Sequence, residues 1–446
     1  MIDNKNSDKG QLSRKDFMRT AGAAAGGGLL LSSLPIGASA YVAGRNTIRV
    51  AVVGCGGRGT GAASQAMSAG EDVEVVALAD AFRDRLDGCY DNLSNRFEDS
   101  GQLNVPEENK FVGFDAYRNA IDLCDVVILA STPGFRPVHF EYAVEQGKHV
   151  FMEKPVATDA PGIRQVLAAG RVARQKNLNV VVGLQRHYQN NYRETIQRIH
   201  DGAMGRITSG QVYWNSSGVW MRERQPEQTE MEYQMRNWYY FTWLCGDHIL
   251  EQHIHNIDVA NWAIGEYPVS AQGMGGREVR DGKEYGEIFD HHFVEFTYPS
   301  GAVIASQCRH QPGCMNRVSE TLQGEGGTVD LSSNGRGLIR GWDGETIFNH
   351  NSQDDPNPYQ QEHDELFASI RAGEVIDDTD NGAYSTMTAL MGRMATYSGQ
   401  VIEWDEALNS SQDLIPKDLA MDSTPPILPD ENGFYPVPVP GETEVL

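Results

Sequence analysis

No CxxC pair occurs in this chain of 446 residues, and its six cysteines (Cys55, Cys89, Cys124, Cys245, Cys308, Cys314) are scattered along it. A zinc site built on cysteine is therefore not expected. Cys308 and Cys314 are close enough in sequence to pair across a turn, which an oxidising compartment would permit. Cys55 sits inside a glycine loop, where a bridge would obstruct a ligand, and reads as a free thiol. Positive charge is scarce too: 37 Lys and Arg stand against 61 Asp and Glu, for a formal net charge of -24. Such a chain repels a phosphate backbone and an anionic membrane surface, so no nucleic acid is expected as partner. Beyond the first forty residues, no apolar run approaches the roughly 20 residues that cross a bilayer. There is no internal repeat. What is left, 40% hydrophobic and 22% charged, is a globular chain long enough to bury two cores.

The first forty residues read as a targeting segment. Ser13-Arg14-Lys15-Asp16-Phe17-Met18-Arg19 resembles a twin-arginine export motif with lysine in place of the second arginine. An Ala/Gly-rich run centred on Leu29-Leu30-Leu31 follows, and Ala38-Ser39-Ala40 closes it as a small-residue cleavage site. We expect residues 1–40 to be an export signal, by the twin-arginine or the general route, with the mature chain periplasmic and not inserted in the membrane.

From Thr47 the pattern is strand, glycine turn, helix, strand. Short β-branched runs at Ile48 to Val53, Val73 to Ala79, Asp125 to Ala130, His149 to Met152 and Asn179 to Gly183 suit central parallel strands. Helical patterns separate them, notably Val138 to Gln146 and Pro161 to Lys176. Alternating strands and helices imply a doubly wound parallel sheet of Rossmann type over residues 45–185. After Gln185 the texture changes to an α+β domain, 186–410, on a large, mostly antiparallel sheet. It comprises a helix near Asn190 to Asp201, an aromatic-rich strand Ile207 to Trp214, a long helix Asp247 to Ala263, and strands from Val269 to about Phe348. Helices near 359–397 return toward the first domain. The proline-rich stretch 411–446 reads as an extended surface tail.

Gly54-Cys55-Gly56-Gly57-Arg58-Gly59 places GxGxxG between the first strand and the helix after it. In that context Gly54 allows the tight turn, Gly56 lets backbone approach a pyrophosphate, and Gly59 lets helix pack on strand. The helix N-terminus then offers free N–H groups to the anion. Asp80, ending the second strand 26 residues past Gly54, suits ribose hydroxyls and repels a 2′-phosphate. That favours NAD over NADP, although Arg83 and Arg85 lie near enough to receive a phosphate. Ligands of such sheets bind beyond the carboxyl ends of the strands, where Ser131-Thr132-Pro133, Glu153-Lys154-Pro155 and Gln185-Arg186-His187 fall. The expected cofactor contacts are Gly54, Gly56, Gly57, Arg58, Gly59, Asp80, Ser131, Thr132, His139, Glu153, Lys154 and Gln185. A partly buried lysine at that place can bond a substrate hydroxyl and take part in proton transfer.

On the helix from Asp247, the spacing puts Asp247, Glu251, His255 and Asp258 on one face, where a carboxylate one turn from an imidazole orients it and raises its basicity. Two other readings of this face stand: a satisfied polar surface, or a metal site from His248, Glu251 and His255. We expect no metal. Between Tyr213 and Trp243 lie Trp214, Trp220, Arg222, Arg224, Arg236, Asn237, Trp238 and Tyr239. Aromatic faces and guanidinium forks suit pyranose stacking and hydroxyl recognition, and packing is the competing use of each ring. The expected substrate contacts are Arg186, Trp214, Arg236, Asn237, Trp238 and Tyr239.

The glycine loop, the run Gly147-Lys148-His149-Val150-Phe151-Met152-Glu153-Lys154-Pro155 and the Glu251/His255 helix resemble the Gfo/Idh/MocA oxidoreductases over about Thr47 to Gln400. The resemblance implies a Rossmann domain plus a second domain whose open sheet often mediates homo-oligomerisation. It also implies that Lys154 and His255 contact the reacting hydroxyl of a sugar, glycoside or polyol, with His255 as general base. Glu251 stands where the family more often has aspartate. Some exported members are NAD-dependent glycosidases that oxidise, eliminate, hydrate and reduce, with a helix unlike this one. That reaction and a non-catalytic sugar-binding protein are the alternatives. An exported chain cannot draw on the cytoplasmic NAD pool, so the dinucleotide is expected to be tightly bound.

Overall fold

The computed structural model describes residues 47–446, so the expected export signal lies outside the described residues. The first sheet has six strands: β1 Ile48–Val53, β2 Val73–Asp80, β3 Lys110–Val112, β4 Val126–Leu129, β5 His149–Met152 and β6 Val180–Val182. They run in the order β3-β2-β1-β4-β5-β6, every pair parallel. Side chains alternate across a strand, and β1 divides accordingly. Val50 and Val52 enter one core with Ala62, Leu86 and Leu93, whereas Ala51 and Val53 enter the other with Phe140, Val144 and Ile163. Both faces being covered, the central strands read as unbroken apolar runs; β4 is buried throughout. The edge strand β3 is the one that periodicity did not reveal, being three half-exposed residues.

The second sheet has nine strands: β7 Ile207–Ser216, β8 Ser270–Gly276, β9 His291–Thr297, β10 Val303–His310, β11 Arg317–Gly324, β12 Gly327–Ser332, β13 Arg336–Gly341, β14 Thr346–Asn349 and β15 Ile402–Glu403. Their order is β14-β13-β12-β11-β7-β10-β9-β8-β15, antiparallel except for the β7–β10 pair. This is the expected α/β chain with a mostly antiparallel second sheet. Burial alternates along its central strands: in β9, His292, Val294 and Phe296 face inward and their neighbours are half-exposed. The inward face packs on helices Ile254–Ile264 and Thr379–Ser398.

Helix Thr379–Ser398 is buried along almost its whole length because it lies between the two sheets, touching helix Ala160–Gln175 on one side and β8 on the other. Helix Pro358–Ala372 returns to the first domain, where Leu366, Phe367 and Ile370 complete the core beneath helix Gly57–Ser68. After Asn409 there is no further helix or strand, yet the tail is packed. Leu414 N donates to Asp159 at 2.9 Å, Gln234 donates to the Ile427 carbonyl at 2.6 Å, and the Tyr435 ring meets Phe241 at 5.0 Å. It straps the segment 230–245 that walls the site described next. All six cysteines are free, with Cys308 buried and Cys314 exposed, so the pairing entertained for these two is not formed.

Candidate active site

A cavity of about 710 Å³ opens beyond the carboxyl ends of β1, β4 and β5 and is closed on its far side by residues of the second domain. Its floor is the glycine loop. Gly54 has φ +96°, and a Cβ there would collide with the backbone of Ala130 and Ser131; one on Gly59 would strike the Gly54 carbonyl. Gly56 and Gly57 face open space, and helix Gly57–Ser68 starts with no side chain capping its amides. Those amides are free for an anion. Asp80 Oδ2 accepts from Cys55 N at 2.7 Å and Oδ1 from Phe82 N at 2.9 Å, so the carboxylate that faces the cavity also ties the loop to its strand. Burial raises its pKa.

Thr132 Oγ1 and Gln185 Oε1 border the same space and are buried without a partner. A buried polar atom left unpaired is costly, and a dinucleotide supplies what these lack. Free helix amides, open glycines and orphaned polar atoms thus fit such a group. His139 stays neutral, its pKa lowered to about 3 by burial and by Arg136; its Nδ1 is 3.0 Å from Ser131 Oγ and its ring lies tilted against Tyr117, centroids 4.2 Å apart. Arg58 borders the cavity but is clamped by Glu153 and by Glu362 (2.9 Å) against the faces of Phe151 and Tyr359. Glu153 therefore acts on Arg58.

Lys154, Glu251 and His255 meet on the opposite wall. The Lys154–Pro155 peptide is cis. Lys154 Nζ donates to the Glu251 carbonyl and lies 3.5 Å from Glu251 Oε1. Burial raises the Glu251 pKa, and Oε2 is buried with no partner. Burial first, then the charge of Lys154, holds His255 well below the usual histidine range; its Nδ1 is unpartnered and its ring stacks on Trp214 at 6.0 Å.

The single helix expected over Asp247 to Ala263 is broken. His248–Glu251 and Ile254–Ile264 are separate, with Gln252 at φ -119° between them and Asp247 capping the first at φ +79°. The four acidic and basic side chains therefore do not share a face. Asp247 turns inward to His248 Nδ1 (2.8 Å) and the Tyr397 hydroxyl (2.6 Å), Asp258 pairs with His187 at 2.8 Å, and Glu251 engages Lys154. The carboxylate expected to orient His255 thus orients the lysine. The metal reading from His248, Glu251 and His255 fails likewise. Among the described residues, the cluster close enough to share an ion is Asp247, His248 and His292, fully buried and already hydrogen-bonded.

Of the six expected substrate contacts, Trp214, Arg236 and Trp238 line the cavity. The other three do not reach it. Arg186 is 1% exposed and pairs with buried Glu320; Asn237 accepts from Arg222 N at 2.8 Å and donates to the Glu284 carbonyl at 2.7 Å; Tyr239 stacks on His310 at 6.0 Å. No local pattern announced the partners that bury them. Trp220 and Arg222, from the same stretch, do line the cavity, with the Arg222 guanidinium 5.3 Å from the Trp220 ring centre. Sequence reasoning also missed Arg136, which is buried beside Glu251 with its pKa lowered to about 10 by that burial, and Gln252, whose one signal was its place beside Glu251.

Residues 48–184 match the family model described as oxidoreductase family, NAD-binding Rossmann fold, and residues 192–330 match the GFO/IDH/MocA C-terminal domain. An inositol 2-dehydrogenase of Saccharopolyspora erythraea is 27% identical over 289 residues, 64% of this chain and 73% of that protein. Two solved structures share the fold. One is the aldose-aldose oxidoreductase of Caulobacter crescentus complexed with glycerol (TM-score 0.62, 20% identity, 80% of this chain and 99% of that one). The other is the scyllo-inositol dehydrogenase of Lactobacillus casei with bound NAD(H) and scyllo-inositol (TM-score 0.59, 18% identity, 80% and 99%). With both of its domains matched and its glycine loop, Lys154 and His255 gathered on one cavity, the chain belongs to the Gfo/Idh/MocA family of oxidoreductases.

Proposed function

We propose that this protein is an exported, NAD-dependent oxidoreductase that acts on a carbinol of a sugar, glycoside or polyol. The observation that carries the reading is the convergence of Lys154, Glu251 and His255 on the wall of a cavity whose floor is a dinucleotide loop. When bound, the nicotinamide supplies the hydride acceptor or donor. The chain's own residues do the rest. Gly56, Gly57 and the first amides of helix Gly57–Ser68 hold the pyrophosphate, and Asp80 holds the ribose. The Lys154 ammonium, fixed by the Glu251 carbonyl, donates to the reacting oxygen. His255, kept neutral, takes the hydroxyl proton in oxidation and returns it in reduction. Trp214, Trp220 and Trp238 offer faces to a sugar ring. A panel of sugars, polyols and glycosides, followed at the nicotinamide absorbance and by product analysis, tests the reading. Aglycone release without net redox would move it to the redox glycosidases, and no substrate at all would favour a binding protein.

Asp80→Ser is expected to weaken NAD and narrow its advantage over NADP, because the carboxylate is what repels a 2′-phosphate. Dissociation constants for both cofactors check this; unchanged values would mean that Asp80 serves only the Cys55 and Phe82 amides. Export requires cleavage after Ala40 and a dinucleotide that survives purification, both read from secreted protein by N-terminal sequencing and by absorbance. A homo-oligomer through the uncovered face of the nine-stranded sheet, where Met274 and Val303 are exposed, is checked by light scattering.

A further inference from the structure

Gln252 borders the cavity beside Glu251, yet the reaction described above gives it no task. Its carboxamide could point either way, since oxygen and nitrogen are alike in shape. What lies behind it decides. Gln252 Oε1 is 2.7 Å from His310 Nε2, and His310 Nδ1 is 2.7 Å from a guanidinium nitrogen of Arg280. Arg280 is 4% exposed, also donates to the Phe289 carbonyl and lies over the Tyr240 ring at 5.2 Å. A guanidinium only donates. His310 Nδ1 must therefore accept, which leaves the single proton of the neutral imidazole on Nε2. Burial, with His248 and Arg280 as neighbours, keeps His310 neutral. The Nε2 proton is donated to the Gln252 oxygen, so the Gln252 nitrogen turns to the cavity. That nitrogen has no hydrogen-bond partner among the described residues. The His310 ring is held between His248 (centroids 4.5 Å apart) and Tyr239 (6.0 Å), which prevents it from turning over. Tyr239, expected from sequence to touch substrate, thus acts at one remove.

We propose that Gln252 is a specificity-determining residue whose amide N–H groups, aimed into the cavity by the fixed chain Arg280–His310–Gln252, select substrates carrying an acceptor oxygen besides the reacting hydroxyl. The inference rests on the functional reading above. In the free protein the amide is solvated. In the complex a substrate lacking that oxygen leaves it buried and unpaired, and sites of this construction reject such analogues strongly. Arg280 and His310 are positioning residues.

The experiment compares the best substrate with its series of single-deoxy analogues. In the parent enzyme one analogue is expected to lose about ten- to a hundredfold in kcat/KM, chiefly through KM, as one hydrogen bond to a polar group disappears. Gln252→Met should lower kcat/KM for the full substrate to the level of that analogue and remove the discrimination, with NADH affinity unchanged. His310→Leu should reproduce the collapse. His310→Gln, which can still accept from Arg280 and donate to Gln252, should restore it, a rescue that a merely structural role would not give. Should the His310 variants not fold, nitrogen-15 spectra of the parent report the tautomer directly, and a proton on Nδ1 overturns the inference. A working parent whose analogue preferences survive Gln252→Met overturns the inference alone. A parent that turns over nothing on the panel overturns the functional reading and this inference with it.

Discussion

His255→Ala is expected to lower turnover by about a hundred- to ten-thousandfold while the dinucleotide stays bound, the usual cost of losing a well-placed proton-transfer group. The imidazole is 6% exposed and stacks on Trp214, and burial together with Lys154 holds it well below the usual histidine range. It is therefore uncharged at neutral pH and free to accept a proton. The direction of the shift fixes the shape of the pH profile. A base must be unprotonated to act, and one whose pKa is lowered remains so into acid. The acid limb of kcat/KM should thus lie well below the ordinary value of about 6.5 and vanish in the variant. Turnover on the best substrate, with cofactor affinity measured separately, checks both. Near-parental turnover in His255→Ala would place the base elsewhere.

The parts of this protein legible in sequence are those whose cause is local. Ile48–Val53, the glycine loop and Asp80 follow one another within 33 residues, and each has a reason contained in its neighbours. Strand ends gave Ser131, Lys154 and Gln185 by the same rule, since a parallel sheet brings its carboxyl ends together. Illegible were the features whose cause lies far along the chain. Arg186 looked like a cavity residue until Glu320, on strand β11 far along the chain, claimed it. Asn237 was claimed by the backbone of Arg222 and Glu284. The helix from Asp247 had the right spacing for one face, but Asp247 bonds to Tyr397 and Phe289, and the chain breaks at Gln252 to allow it. Periodicity describes a helix only where tertiary partners leave it whole. The same break brings Gln252 to the cavity, so the residue sequence could not place is the one on which specificity is proposed to turn.

Lys154→Ala should be as damaging as the loss of His255, for two reasons that a second variant separates. In the proposed mechanism the ammonium donates to the reacting oxygen, and it also steadies Glu251, whose pKa burial raises and Lys154 lowers. With the lysine gone, only the charge of Arg136 still opposes the raising effect, and Glu251 keeps its proton to higher pH. The carboxyl's contribution to stability is fully present below its unfolded value of about 4.3 and is lost as pH rises through the folded one, which the substitution moves upward. Lys154→Ala should accordingly lose more melting temperature between pH 5 and pH 8 than the parent does. Lys154→Arg keeps the positive charge beside Glu251 but puts a bulkier planar fork where the compact ammonium stood. It should recover the parental pH dependence of stability while turnover stays down by about a hundredfold, the cost of misplacing the donor at the reacting oxygen. Turnover restored by arginine would show that Lys154 acts by charge alone and not by a placed hydrogen bond to the reacting oxygen.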